Sequence, residues 1–466
     1  MKTFIYKLAL LAIIIFSFTS CEDFLELETP DHKIVSETVF NNEETAISAM
    51  TGIYNQLYRT SFSGGRENSV HVLAGLSADE LQVIRENDLS FLEFQQNEIQ
   101  PNNNRNLSLW SGSYTMIYMT NSLLEGLESS NELSDEIRKS LEGEAKFIRA
   151  LTYFYLVNLY GEVPLILTTD YNENSLASRK DKDLIYEQII NDLNESIALL
   201  SPEYREDDRS RVNRFAAVAL LARVHLYLEN WEMAQELSSE VIAQSNSYQI
   251  LEDLNQVFLA NSQEAIWQIS PIGGGGRLTY TNEGLTFIID PFVPFFTQLR
   301  LHRNLVSSFE EEDKRLTDWI GYFEGSDSYF AYKYKDGNSI DNITEYSMVL
   351  RLSEQFLIRA EAKLNQGDLP GAIADLDIIR KRAGLDLISE MNPEISEEDL
   401  MNQILIERRK ELFTEWGHRW LDLTRTNMAT NILSDIKPNW QDTDVLYPIP
   451  AEERSKNPNL SQNSGY

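Results

Sequence analysis

Basic residues are scarce in this 466-residue chain: 40 lysines and arginines stand against 73 aspartates and glutamates, a formal net charge of −33. Binding a phosphate backbone needs clustered Lys and Arg, and neither a basic run nor a DNA- or RNA-binding motif occurs, so no nucleic-acid partner is expected. Cysteine is scarcer still. Cys21 stands alone, which excludes an intramolecular disulfide. The five histidines, His32, His71, His225, His302 and His418, are dispersed and no H-E-x-x-H occurs, so no histidine-based metal site is expected. The glycines at 273–276 are followed by Arg277-Leu278-Thr279 and lack the Lys-Ser/Thr of a phosphate loop. No G-x-S-x-G is present, and acid pairs are too common among 73 to argue for a glycosidase. No catalytic residues and no cofactor are expected.

Long hydrophobic runs are also missing. The longest, Leu8 to Phe18, is apolar except for Ser17 and as a helix rises about 16 Å, roughly half of a hydrocarbon core. With Lys2 and Lys7 flanking it, residues 1–20 read as a signal peptide. Phe18-Thr19-Ser20-Cys21 resembles a bacterial lipobox, although Phe18 replaces the more usual Leu. That resemblance implies a covalent lipid on Cys21 as the membrane anchor, with residues 21–42 as a lipidated tether.

From residue 43 the pattern is helical. Ala46, Ile47, Met50, Ile53, Tyr54 and Leu57 share one face, and Trp110, Tyr114, Ile117, Asn121 and Leu124 mark a second helix. Thr60 to Arg105 is mixed and predicts loops and short elements. Phe147 to Tyr160 (FIRALTYFYLVNLY) is apolar on almost every face, as a central helix must be, and Gly161 and Pro164 end it. Leu184 to Leu200 is helical again. At an offset of 138 residues, Ala222, Leu226 and Ala234 fall on Ala360, Leu364 and Ala372, and Asn230-Trp231 falls on Asp368-Leu369, which predicts two similar helical hairpins. Ile404 to Arg425 (ILIERRKELFTEWGHRWLDLTR) reads as an amphipathic helix ended by Gly417 and followed by a shorter one. Between about 248 and 344 the helical period is lost, with AIWQIS and YFAYKYK as candidate strands.

The segment Ile404–Arg425, the ending LYPIP…NPNLSQNSGY, the element LWSGSYTMIYMTNSLLEGL and the turn GEVPLI together resemble the SusD/RagB family of nutrient-binding outer-membrane lipoproteins. The resemblance implies a mainly α fold, 43–466, with a tetratricopeptide-like helical-pair scaffold and an irregular, loop-rich insertion at about 248–344 as the ligand face. It further implies a non-enzymatic protein that is anchored in the outer membrane and faces the cell exterior. Such a protein binds oligosaccharide or polysaccharide and delivers it to a SusC-type TonB-dependent transporter. Binding of peptides or another nutrient on the same fold, or a tetratricopeptide-like scaffold for proteins, are the alternatives.

Loop aromatics can stack on the C–H faces of sugar rings while polar neighbours bond the hydroxyls. On that ground Trp319, Tyr322 and Tyr280, together with Arg66, are the candidate ligand-binding residues, and Phe287 and Tyr329 add to the insertion's aromatic content. Glu415, His418 and Asp422 lie within one helical span but read as packing and ion-pair residues, with Arg408, Arg409, Arg419 and Arg425 to neutralise the acids. Trp416 reads as core.

Overall fold

The structure is a computed structural model that describes residues 39–205 and 208–466. The signal peptide, Cys21 and most of the tether lie outside the described residues. Helix α1, Glu43–Arg59, starts where Asn42 accepts from the Thr45 amide, and it buries Ala46, Met50, Ile53 and Leu57 at the spacing its sequence shows. The stretch expected to hold loops and short elements contains α2, Val70–Ser77, with all eight residues buried. Next come α3, Asn104–Ser129, α4, Asp135–Tyr160, and α5, Lys182–Leu199. The all-round apolar end of α4 sits at the centre. Its one cation, Arg149, bonds Asp192 of α5 (2.7 and 2.8 Å) and Asn121 of α3 (2.9 Å), so a single guanidinium joins three helices.

Two hairpins follow the offset of 138 residues. The first is α6, Arg214–Tyr227, with α7, Trp231–Ile242; the second is α8, Leu352–Asn365, with α9, Leu369–Ala383. Asn230 and Asp368 cap the second helix of each. Ala222, Ala234, Ala360 and Ala372 are fully buried, and their small side chains let paired helices approach closely. The hairpins are far apart in sequence but adjacent in space, because α7 packs on α8.

The insertion between them is held by short strands. Strand β1, Leu81–Val83, pairs with β3, Leu299–Leu301; β2, Ala265–Ile269, pairs with β6, Ser347–Arg351; and β4, Ile320–Phe323, forms a hairpin with β5, Ser328–Ala331. All three pairs are antiparallel. Strand β6 runs directly into α8, which fixes the insertion to the helical scaffold. The main hydrophobic core runs from Phe40 to Leu460.

The C-terminal signature folds differently from its sequence pattern at one place. Helix α10, Glu397–Leu412, stops before Phe413, and Gly417 (φ 68°) begins the next helix, α11, His418–Arg425, instead of ending the first. Helix α10 can end early because side chains satisfy its last carbonyls. Lys333 Nζ donates to the carbonyls of Glu411 (2.8 Å) and Phe413 (2.9 Å), and Arg351 Nη2 donates to that of Glu411 (2.7 Å). Thr414 and Trp416 then take positive φ, placing the Trp416 ring against Tyr155 (5.2 Å) and Phe62 (5.9 Å).

Candidate functional site

Where α1 ends at Arg59, the chain turns back through Thr60 to Asn68 and leaves a cleft of about 420 Å³ facing residues 285–299 of the insertion. The near wall carries Arg59, Arg66, Glu67 and Asn68; the far wall carries Leu285, Phe296 and Gln298. Gly65 makes the turn possible. It holds φ +72°, and a Cβ there would lie 2.4 Å from the carboxyl carbon of Glu283.

The far wall is shaped by its prolines. Pro291 and Pro294 break the backbone into turns, so the phenylalanines of the segment cannot be buried in a sheet. Phe292 is 90 % exposed, Phe296 70 % and Phe295 55 %, with Phe295 and Phe296 stacked at 4.6 Å. Three exposed phenylalanines in one loop leave a sizeable apolar surface without a partner among the described residues.

Asn282 ties the two walls together. Its buried amide donates to the carbonyls of Tyr58 (3.0 Å) and Gly64, and its oxygen accepts from Arg66 Nε (2.8 Å). Next to it, buried Glu283 accepts from Ser347 Oγ and lies 3.6 Å from His71 Nε2. Burial pushes Glu283 up to about 7, and burial holds His71 down to about 3, so near neutrality this is a contact between an uncharged imidazole and a carboxyl that is only partly ionised. Burial, reinforced by the Glu283 carboxylate, pushes the Tyr58 phenol up to about 12. The cleft therefore offers an apolar aromatic lip together with amide and guanidinium groups on fixed backbone.

The structure separates the four residues selected by sequence. Arg66 stands on the cleft wall. Trp319 lies in the interior and not on the surface expected of it: it is fully buried, its Nε1 donates to the Leu254 carbonyl (3.1 Å), and its ring packs on Phe258 with Lys333 Nζ 4.8 Å from the ring centroid. Tyr280 is also buried, and its carbonyl accepts from Tyr58 Oη (3.0 Å) behind the cleft. Tyr322 is half exposed on β4, outside the cleft lining, stacked on Tyr329 at 4.9 Å with its hydroxyl on Asp327 (3.0 Å). Phe287 is buried. Residues that the sequence reading missed are Arg59, Phe292, Phe295 and Phe296. The signal of the three phenylalanines was PFVPFF, an apolar run broken by two prolines, which disfavour burial in a sheet or helix.

Glu415, His418 and Asp422 are engaged in the interior. Glu415 pairs with Arg351 (2.8 Å) and Lys333 (2.5 Å), and Asp422 with Arg408 and Arg425 (both 2.8 Å). Burial, and then the surrounding guanidinium groups, hold His418 well below its ordinary value and neutral. Arg409 and Arg419 both pair with Asp79 (2.7 Å each). No group of three or more His, Cys, Asp or Glu suited to a metal occurs among the described residues.

Comparison with known proteins places this geometry. Residues 23–226 match the SusD-like family described as starch-binding associating with outer membrane, and residues 310–466 match the SusD family. A SusD-like protein of Formosa agariphila is 25 % identical, with 99 % of each chain covered. The starch-binding protein SusD of Bacteroides thetaiotaomicron is 24 % identical over 73 % of this chain and 75 % of its own. Among solved structures, a laminarin-binding SusD-like protein superimposes with a TM-score of 0.78 at 26 % identity, covering 91 % of this chain and all of its own.

Proposed function

Because the chain belongs to the SusD/RagB family, we propose that it is a glycan-binding protein of the outer membrane, anchored through a lipid on Cys21 and facing the cell exterior. In this reading it delivers oligosaccharide or polysaccharide to a SusC-type TonB-dependent transporter and carries out no catalysis itself. The observation that carries the proposal is the cleft between residues 58–68 and 285–299, where the exposed Phe296 ring stands beside Arg66 and Gln298. A ring of this kind covers the C–H face of a sugar, and the polar neighbours take its hydroxyls. The starch- and laminarin-binding relatives support the ligand class. Among the described residues no helix is long and apolar enough to cross a membrane.

Affinity electrophoresis against a panel of neutral and charged polysaccharides tests the proposal. Wild-type protein is retarded by at least one polymer, and Phe296→Ala weakens that binding by roughly 1–3 kcal/mol, the scale of a lost aromatic contact. A transporter-sized barrel co-purifies from mild detergent. Retardation by no polymer, or shortening of the polymer by the purified protein, contradicts the reading.

A further inference from the structure

The charge of the cleft runs against the charge of the chain. With 73 acidic residues against 40 basic ones, a wall drawn at random from this sequence is acidic, yet the cleft presents Arg59 and Arg66. Among the described residues neither has a carboxylate partner, whereas even exposed arginines elsewhere in the insertion do: Arg277 pairs with Asp341 and Arg303 with Asp327. The one carboxylate on the cleft wall, Glu67, leans towards Arg105 at 3.7 Å. Burial raises Glu283, beneath Gly65, to about 7, so it is only partly ionised near neutrality.

The arginines are also oriented. Asn282 holds Arg66 by Nε alone, and Asn282 is itself fixed by the carbonyls of Tyr58 and Gly64. The edge formed by Nη1 and Nη2 of Arg66 is left without a partner among the described residues. Arg59 is likewise tied through Nε to the Gly273 carbonyl (2.6 Å) and through Nη2 to that of Gly274 (3.4 Å), leaving Nη1. A guanidinium pinned on one side and open along two parallel N–H groups matches two oxygens of an anion. A neutral sugar hydroxyl does not need that arrangement.

Resting on the glycan-binding reading above, we propose that the cleft selects an anionic glycan, one bearing a carboxylate or a sulfate ester on the sugar ring gripped by Arg66 and Arg59. Calorimetry of the full mature chain tests this with polygalacturonate and its carboxyl-reduced neutral form, and with carrageenan and its desulfated form. At 0.15 M salt, on the order of physiological, the long-range repulsion from the acidic surface is largely screened. One of the charged polymers then binds about tenfold or more tightly than its neutral counterpart, and Arg66→Ala removes most of that ratio. Arg66→Lys restores it only in part, since an ammonium lacks the fork. Which pair shows the preference distinguishes carboxylate from sulfate. Phe296→Ala weakens charged and neutral forms alike. Equal binding of charged and neutral forms, or a ratio unchanged in Arg66→Ala, overturns the charge inference and leaves glycan binding standing. Failure of all four polymers to bind contradicts both. Arg66 is exposed, and an unchanged circular dichroism spectrum of its variants keeps lost binding distinct from lost fold.

Discussion

Arg223 and Glu354 meet in the seam between the two helical hairpins through two bonds of 2.6 Å, Nε to Oε1 and Nη2 to Oε2, with both side chains buried. Arg223 also donates to Tyr155 Oη of α4 at 3.1 Å, so the pair binds both hairpins to the central helix. Glu354→Ala leaves a buried guanidinium without its counter-charge and costs about 3–5 kcal/mol in urea unfolding. The double replacement Arg223→Met with Glu354→Leu recovers most of that loss. Equal destabilisation by the single and double variants would show that the pair's geometry, and not charge balance, holds the seam.

Trp319 and Trp416 are expected to behave alike. Both are fully buried and both donate an indole N–H to a carbonyl, Trp319 to Leu254 and Trp416 to Met348 (2.9 Å). Either one replaced by alanine lowers stability by about 3–5 kcal/mol. Trp319→Phe, which keeps most of the volume, retains ligand affinity. Loss of affinity by Trp319→Phe with an unchanged melt would return this residue to the ligand face.

The difference between these two tryptophans shows what the sequence conveys. In the sequence Trp416 falls in the apolar period of Leu405, Leu412 and Phe413 and so reads as core, although α10 ends at Leu412 and positive-φ backbone places the ring. Trp319 lies in a segment without a period, where a buried ring and an exposed one have the same local signature. Its burial depends on Leu254 and Phe258, some sixty residues away, and on Lys333. The hairpins were legible because Asn230 and Asp368 cap them at equal offsets and alanines mark their close approach. The early end of α10 was not, because the groups that satisfy its carbonyls, Lys333 and Arg351, come from the insertion. Of the cleft, Arg66 was legible as a loop cation; the phenylalanines of PFVPFF were readable only from what two prolines forbid.

Glu283 gives a pH dependence of defined sign. Burial raises its folded-state value from the ordinary 4.5 to about 7, so the folded state favours the protonated carboxyl. Its contribution to stability is fully present below about 4.5 and is lost as pH rises to about 7, with the full penalty above that. Glu283→Gln keeps a partner for Ser347 but cannot ionise. The difference in melting temperature between Glu283→Gln and wild type therefore grows in favour of the variant from pH 5 to pH 8, corresponding to roughly 1–3 kcal/mol. A difference independent of pH would mean that Glu283 stays charged in the folded protein.

Cys21 lies outside the described residues, and its test is biochemical. Cys21→Ser is expected to abolish incorporation of labelled fatty acid and to move the protein out of the membrane fraction or leave it unprocessed. Equal labelling of variant and wild type would contradict the anchor.

The most direct test of the central claim is a crystal structure of the protein with an oligosaccharide of whichever polymer it binds. The account predicts sugar density in the cleft between residues 58–68 and 285–299, with one ring lying on Phe296 and oxygens within hydrogen-bond distance of Arg66 or Gln298. Density on the Tyr322–Tyr329 pair, or in the groove between α9 and residues 387–393, with the cleft empty, would contradict it.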